Sequence, residues 1–98
     1  MCGIFGVIAF ADGPLSGKAI RQTIDELFRL SESRGKEAAG IALLAGDAIQ
    51  IYKEAVPAST MIRQPEYRAL FEQSVRAASG TSTRGIAIIG HSRLVTTG

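Results

Sequence analysis

Gly3-Ile4-Phe5-Gly6-Val7-Ile8-Ala9-Phe10, preceded by Met1-Cys2, is an apolar run rich in Ile, Val and Phe and closed by the polar stretch Asp12-Gly13-Pro14. A run of this length bounded by turn residues reads as a buried strand followed by a turn. Beyond Ser16, an N-cap candidate, Ile20, Ile24, Leu27 and Phe28 recur at i, i+4, i+7 and i+8, which predicts one helical face and a helix ending near Ser31 to Ser33. Arg34-Gly35 makes a tight connection into a strand at Ala39 to Leu44. Gly46-Asp47 then reads as a two-residue hairpin turn into a partner strand from Ala48 to Val56. The stretch from Pro57 to Gln64 carries no clear period. Pro65 suits the first position of a second helix, to which Tyr67, Leu70, Phe71, Val75 and Ala78 give an apolar face. Gly80-Thr81-Ser82-Thr83 reads as a loop, and Gly85 to Gly90 as a further buried strand ending at His91-Ser92-Arg93.

The resulting order is β-α-β-β-α-β, an α+β arrangement of layers. Four strands with two amphipathic helices leave the sheet edge and one sheet face short of partners. The sequence stops at Thr96-Thr97-Gly98 just after a strand, so the expectation is the N-terminal half of a larger fold.

Composition narrows the function classes. Ninety-eight residues with 46% hydrophobic content suffice for a real core. Eleven Lys and Arg against nine Asp and Glu give a net charge of +2 with the basic residues scattered, a pattern that gives nucleic-acid binding little support. One cysteine excludes an intramolecular disulfide framework, and one Cys with one His is too few for a structural zinc site, so no metal is expected. Residues 3 to 11 are apolar enough to suggest a signal sequence, but no positive residue precedes them and Asp12 interrupts them. No stretch approaches the length of a membrane span, and the expectation is a soluble protein of the reducing cytoplasm.

Cys2 is the chemically distinctive residue. Removal of Met1 would leave it with both a thiol and a free α-amine. That amine has a reference pKa of about 7.7–8.0, so it can take the thiol proton near neutrality as the sulfur attacks. Such a residue is a nucleophile carrying its own base. The plain alternative is a small buried hydrophobe, the usual role of a lone cysteine in an apolar stretch.

Three segments taken together carry a resemblance: Cys2-Gly3-Ile4-Phe5-Gly6, Ser33-Arg34-Gly35-Lys36-Glu37-Ala38-Ala39-Gly40, and Gly90-His91-Ser92-Arg93-Leu94-Val95-Thr96-Thr97-Gly98. In this order and spacing they resemble the glutaminase domain of class II glutamine amidotransferases, members of the N-terminal-nucleophile hydrolases. The resemblance covers essentially the whole sequence. It is closest to the domains that feed ammonia to glucosamine-6-phosphate synthase and to glutamine phosphoribosylpyrophosphate amidotransferase, and the opening segment also resembles that of asparagine synthetase. It implies an αββα sandwich of which residues 1–98 are the N-terminal part. It also implies hydrolysis of glutamine through a glutamyl thioester, with ammonia passed to a synthase or transferase domain, and neither a metal nor an organic cofactor.

By the same resemblance Cys2 matches the nucleophile, and Arg93 the arginine that grips the α-carboxylate of glutamine, a task suited to the bidentate guanidinium. Thr96 falls at a position near the same bound amino acid, and Arg34 matches the arginine of the family's Arg-Gly turn beside the nucleophile. Each has an alternative. Arg93 could be a solvated strand-end charge and Arg34 a salt-bridge partner. His91 could act as a base, but the α-amine already fills that role, so it reads as a supporting or core histidine. Gly35 and Gly40 read as backbone-geometry residues.

The sequence departs from the family in two respects. Lys36-Glu37 stand where a polar residue and Asp usually follow the Arg-Gly pair. The family's Asn-Gly oxyanion pair and its amine-binding Asp have no match within these residues, and a segment lacking an oxyanion donor should be nearly inert alone, since one such donor is worth roughly 10²–10³ in rate. The rival readings are an N-terminal-nucleophile hydrolase acting on another acylated amine, and a non-catalytic truncated or interaction fragment. The ammonia acceptor and the oligomeric state are not legible.

Overall fold

The computed structural model describes residues 3–10, 16–79 and 85–94. The expected turn at Asp12-Gly13-Pro14, the loop at 80–83, and residues Cys2 and Thr96 lie outside them. The elements are β1 (Gly3–Phe10), α1 (Gly17–Ser31), a 3₁₀ turn (Glu32–Arg34), β2 (Ala38–Ala45), β3 (Ala48–Glu54), α2 (Ala58–Met61), α3 (Pro65–Ser79) and β4 (Gly85–Arg93). The expected β-α-β-β-α-β order is therefore present with one short helix added between β3 and α3. The strands form one antiparallel sheet in the order β1-β4-β2-β3, so the last strand in sequence lies between the first and the second.

Local chemistry sets the boundaries. Ser16 Oγ accepts a hydrogen bond from the Ala19 amide at 3.1 Å, satisfying one of the otherwise orphaned donors at the start of α1. Gly46, at φ 63°, takes the left-handed first position of the β2–β3 turn, while Asp47 keeps a negative φ, the type II′ pattern. The helix that the sequence did not disclose, α2, buries Ala58 and Met61, with Ile62 following. It is capped from a distance: Glu32 accepts from the Ser59 amide at 2.9 Å and from Ser59 Oγ at 2.7 Å. Four residues held by a carboxylate 27 positions away leave no local period to read.

Both long helices pack on one face of the sheet, α1 against β1 and β4, α3 against β2 and β4. Ile20, Ile24 and Phe28 form the buried stripe of α1. Phe28 anchors an aromatic row, with ring centroids 4.8 Å from Phe5 and 6.2 Å from Tyr67, which in turn lies 6.0 Å from Phe71. The near-perpendicular rings of the first two pairs suit the aromatic quadrupole. The Tyr67 hydroxyl reaches the core's edge and donates to Asp25 Oδ1 at 3.1 Å, tying α3 to α1. Burial holds the Asp25 carboxyl above its ordinary pKa, with the Tyr67 bond and the Arg21 charge opposing that shift.

β1 and β4, read from sequence as buried strands, are only half buried. In β1 the alternation leaves Ile4 76% and Ile8 70% exposed, with Phe10 also open to solvent. On the same face the register runs from Ile8 through Ala87 of β4 and Leu44 of β2 to Ile49 of β3, and from Gly6 through Ile89 and Ala42 to Ile51. Away from the His91 end, the uncovered face is thus an apolar surface on which the large side chains Ile89, Leu44, Ile49 and Ile51 are exposed. An apolar run cannot reveal that only one side of a strand is covered, because it lacks the polar positions that mark a solvated face. No helix among the described residues is long and apolar enough to cross a membrane.

Candidate active site

The three segments singled out in the sequence meet at one end of the sheet. Gly3, the first described residue of β1, lies opposite Ser92 of β4, and Ser92 lies opposite Ala39 of β2. A Cβ on Gly3 would sit 3.0 Å from Ser31 Cβ, 3.1 Å from the Ser31 carbonyl oxygen and 3.2 Å from Arg34 Cβ. The start of β1 therefore packs directly on the end of α1 and the 3₁₀ turn. A side chain at position 3 would require these neighbours to shift by a few tenths of an ångström.

Gly35 makes the second junction. Its amide donates to the Glu32 carbonyl at 3.0 Å, closing the 3₁₀ turn, and its φ of −176° is ordinary extended backbone. The position needs glycine for space: a Cβ there would lie 2.3 Å from the Arg93 carbonyl carbon and 2.5 Å from the Leu94 nitrogen. Two residues on, the Glu37 amide donates to the Arg93 carbonyl at 3.1 Å. Backbone contacts thereby hold the Arg34-Gly35 turn against the end of β4, in keeping with the backbone role read for Gly35.

Strand alternation then sorts the polar side chains. Ser92 points to the helix-covered face and is buried, while His91 and Arg93 point to the open face, His91 partly buried and Arg93 exposed. His91 lies over Gly40: a Cβ on Gly40 would be 2.5 Å from His91 Nε2, so Gly40, like Gly35, serves close approach. The register adds Ile4 on one side of His91, and Lys53 across Gly40 on the other. Arg34 is exposed at the junction beside Gly3, on the side of β1 away from His91. The structure thus brings Arg34, Gly35 and Arg93 to one end of the sheet and sets His91 one position further along the open face. Cys2 and Thr96 adjoin this end in sequence, through Gly3 and two positions beyond Leu94, but lie outside the described residues.

Sequence reasoning missed two residues here. Ser31 and Ser92 hydroxyl oxygens are 2.7 Å apart at the junction under Gly3. Ser92 could have been found from the period-2 pattern, since it continues the inward positions Ile86, Ile88 and Gly90. Among the described residues no group of three or more His, Cys, Asp or Glu side chains could hold a metal ion. A groove of about 450 Å³ between α1 and α3, lined by Lys18, Arg21, Phe71, Val75 and Arg76, lies at the other end of α1 and contains none of the residues singled out. No family model and no curated protein matches the chain.

Glu32, in the same 3₁₀ turn as Arg34, yields a prediction. The two bonds from Ser59 stabilise its ionised form and hold its carboxyl below the ordinary value of 4.5. A depressed folded-state pKa means the contribution is complete above that ordinary value and is lost as pH falls through the folded value. Glu32→Gln is expected to cost about 1 kcal/mol at pH 7, a capping-sized loss reduced by solvent screening. The gap between parent and variant in denaturant unfolding should narrow as pH is lowered from 7 to below 4.5. A gap that stays constant across that range would show that the charge of Glu32 is not what caps α2.

Proposed function

We propose that this chain is the N-terminal part of a glutaminase domain of the class II glutamine amidotransferase type, in which Cys2, freed of Met1, hydrolyses glutamine. The observation that carries the reading is the meeting of the three segments at one sheet end. The start of β1, the Arg34-Gly35 turn and the Ser92-Arg93 end of β4 are distant in sequence yet packed against one another through Gly3 and Gly35. A structural strand end has no need to gather an arginine turn and a second arginine around the position that follows a cysteine.

In this reading the Cys2 thiol gives its proton to its own α-amine as Sγ attacks the side-chain carboxamide carbon of glutamine. The amine passes that proton to the leaving nitrogen, ammonia departs, and a glutamyl thioester remains. Water then attacks the thioester and releases glutamate and the free thiol. Arg93, exposed at the strand end, supplies the bidentate donor pair for the substrate α-carboxylate, and Thr96 lies near the same amino acid. Arg34 and His91 support the site. Ammonia passes to a synthase or transferase domain, in a reducing cytoplasmic setting.

The finer fold follows the same reading. The uncovered apolar sheet face fits a second sheet packed against it, about 10 Å away, as in an αββα sandwich. The remainder of the domain would bring that sheet together with the oxyanion donors and the group that binds the substrate amine.

Two substitutions in the complete domain test the proposal. Cys2→Ser replaces the thiol by a hydroxyl of far higher pKa, and glutamine hydrolysis should fall on the order of 10³-fold or more while glutamine binding persists. Near-parent hydrolysis in that variant would remove Cys2 as nucleophile. Arg93→Lys keeps the charge but loses the fork, so KM for glutamine should rise roughly tenfold. The parent should also discriminate against glutamine amidated at its α-carboxylate, and the variant should lose most of that discrimination. Equal preference in both proteins would return Arg93 to a surface charge and favour hydrolysis of a different acylated amine.

A further inference from the structure

Beneath the start of β1 lies a buried hydroxyl pair that the proposed chemistry does not use. Ser92 is 0% exposed, and its Oγ lies 2.7 Å from Ser31 Oγ. Ser31 Oγ is also 3.0 Å from the Phe28 carbonyl oxygen, to which it donates. A serine hydroxyl carries one proton. Since that of Ser31 is spent on Phe28, the 2.7 Å contact is donated by Ser92 into a lone pair of Ser31. The result is a directed chain from the central strand to the last turn of α1, running Ser92 to Ser31 to the Phe28 carbonyl.

This chain occupies the layer of Gly3. Gly3 is the register partner of Ser92, and the side chain that Gly3 lacks would have met Ser31 at 3.0 Å. The glycine gives the two hydroxyls room to join, and their bond holds α1 and β4 together on either side of the first described residue of β1. Two other ties at this end, Gly35 against Arg93 and the Glu37 amide to the Arg93 carbonyl, fix β4 to the 3₁₀ turn. The serine pair is a side-chain bond between the two elements that Gly3 touches, β4 through its register with Ser92 and α1 through its packing on Ser31.

We propose that Ser92 is a positioning residue: by donating to Ser31 it sets the start of β1, and through Gly3 the attack geometry of Cys2. This rests on the reading of Cys2 as the nucleophile. Displacing a reacting group by about 1 Å can cost on the order of 10²-fold in rate, so a bond that fixes one strand end can govern kcat without touching substrate.

The test compares Ser92→Ala, Ser31→Ala and Ser92→Thr in the complete domain with Ile24→Val, a buried core change in α1 that supplies a stability-matched control. Two quantities are read: the kcat and KM for glutamine, and the pH profile of Cys2 alkylation by iodoacetamide, which needs no turnover. Ser92→Ala should lower kcat about 10- to 100-fold with KM within about twofold, and shift the alkylation profile. Ser31→Ala should reproduce both effects from the partner side and carries the test if Ser92→Ala does not fold. Ser92→Thr, which keeps the hydroxyl, should restore most of the rate. If Ser92→Ala and Ser31→Ala behave like Ile24→Val at matched Tm in both kcat and alkylation, the pair serves stability only and the proposal is overturned. If the parent hydrolyses no glutamine, the glutaminase reading fails. The alkylation profiles then decide the positioning role independently: a shift in the serine variants alone upholds it, and unchanged profiles overturn it.

Discussion

β4 is paired along its length on both sides, to β1 and to β2, and the rest of the structure depends on that placement. A central antiparallel strand fixes two registers at once, and a slip of one residue would turn Ile86, Ile88 and Ser92 out of the core. Its inward position 90 is glycine because the Phe5 ring lies over it: a Cβ there would come within 2.3 Å of Phe5 Cζ. Phe5 in turn meets Phe28 edge-on, so the aromatic row of the core runs from the back of β4 into α1 and on to Tyr67 of α3. The same strand carries Ser92 and Arg93 to the sheet end where the turn after α1 arrives. Core packing and the candidate site are consequences of one register.

The open face bears on the same arrangement. Ile4, Ile8, Ile89, Leu44, Ile49 and Ile51 leave much of their apolar surface in solvent, and at roughly 25 cal/mol per Å² of apolar surface a covering layer would stabilise the fold substantially. Toward the site the face turns polar, with His91, Lys53 and Arg93 in neighbouring register positions. A layer packed over the isoleucines would leave that polar end at its rim. The proposed second sheet fits this gradient: apolar where layers must adhere, cationic where an anionic group of a substrate would bind.

Element order, both long helices, the β2–β3 hairpin and the shortage of partners on one sheet face were legible in the sequence, because each has a local cause. The Ile20-Ile24-Phe28 stripe, the Ser16 cap and the glycine at position 46 act within a few residues of themselves. What was not legible depends on contacts across long separations. α2 is held by the burial of Ala58 and Met61 and by the reach of Glu32 to Ser59, and the half-burial of β1 and β4 depends on where α1 and α3 lie, not on the strands' own composition. At the site, Arg34, Gly35 and Arg93 were singled out by motif, and the packing of Gly35 on Arg93 gives that grouping a physical cause. The Ser31–Ser92 pair was missed because a serine in a strand signals nothing until its partner 61 residues away is known. Cys2 and Thr96 remain sequence readings, since both lie outside the described residues.

In the proposed chemistry an N-terminal cysteine attacks the carboxamide of glutamine and holds the glutamyl group as a thioester. The most direct test is to mix the complete domain with glutamine, quench in acid during turnover, and locate any adduct by peptide mass spectrometry. The account predicts a glutamyl group on the sulfur of Cys2, in a peptide that begins at Cys2 with Met1 gone. Steady hydrolysis of glutamine with Met1 fully retained, or with the glutamyl group on any other residue, would contradict it.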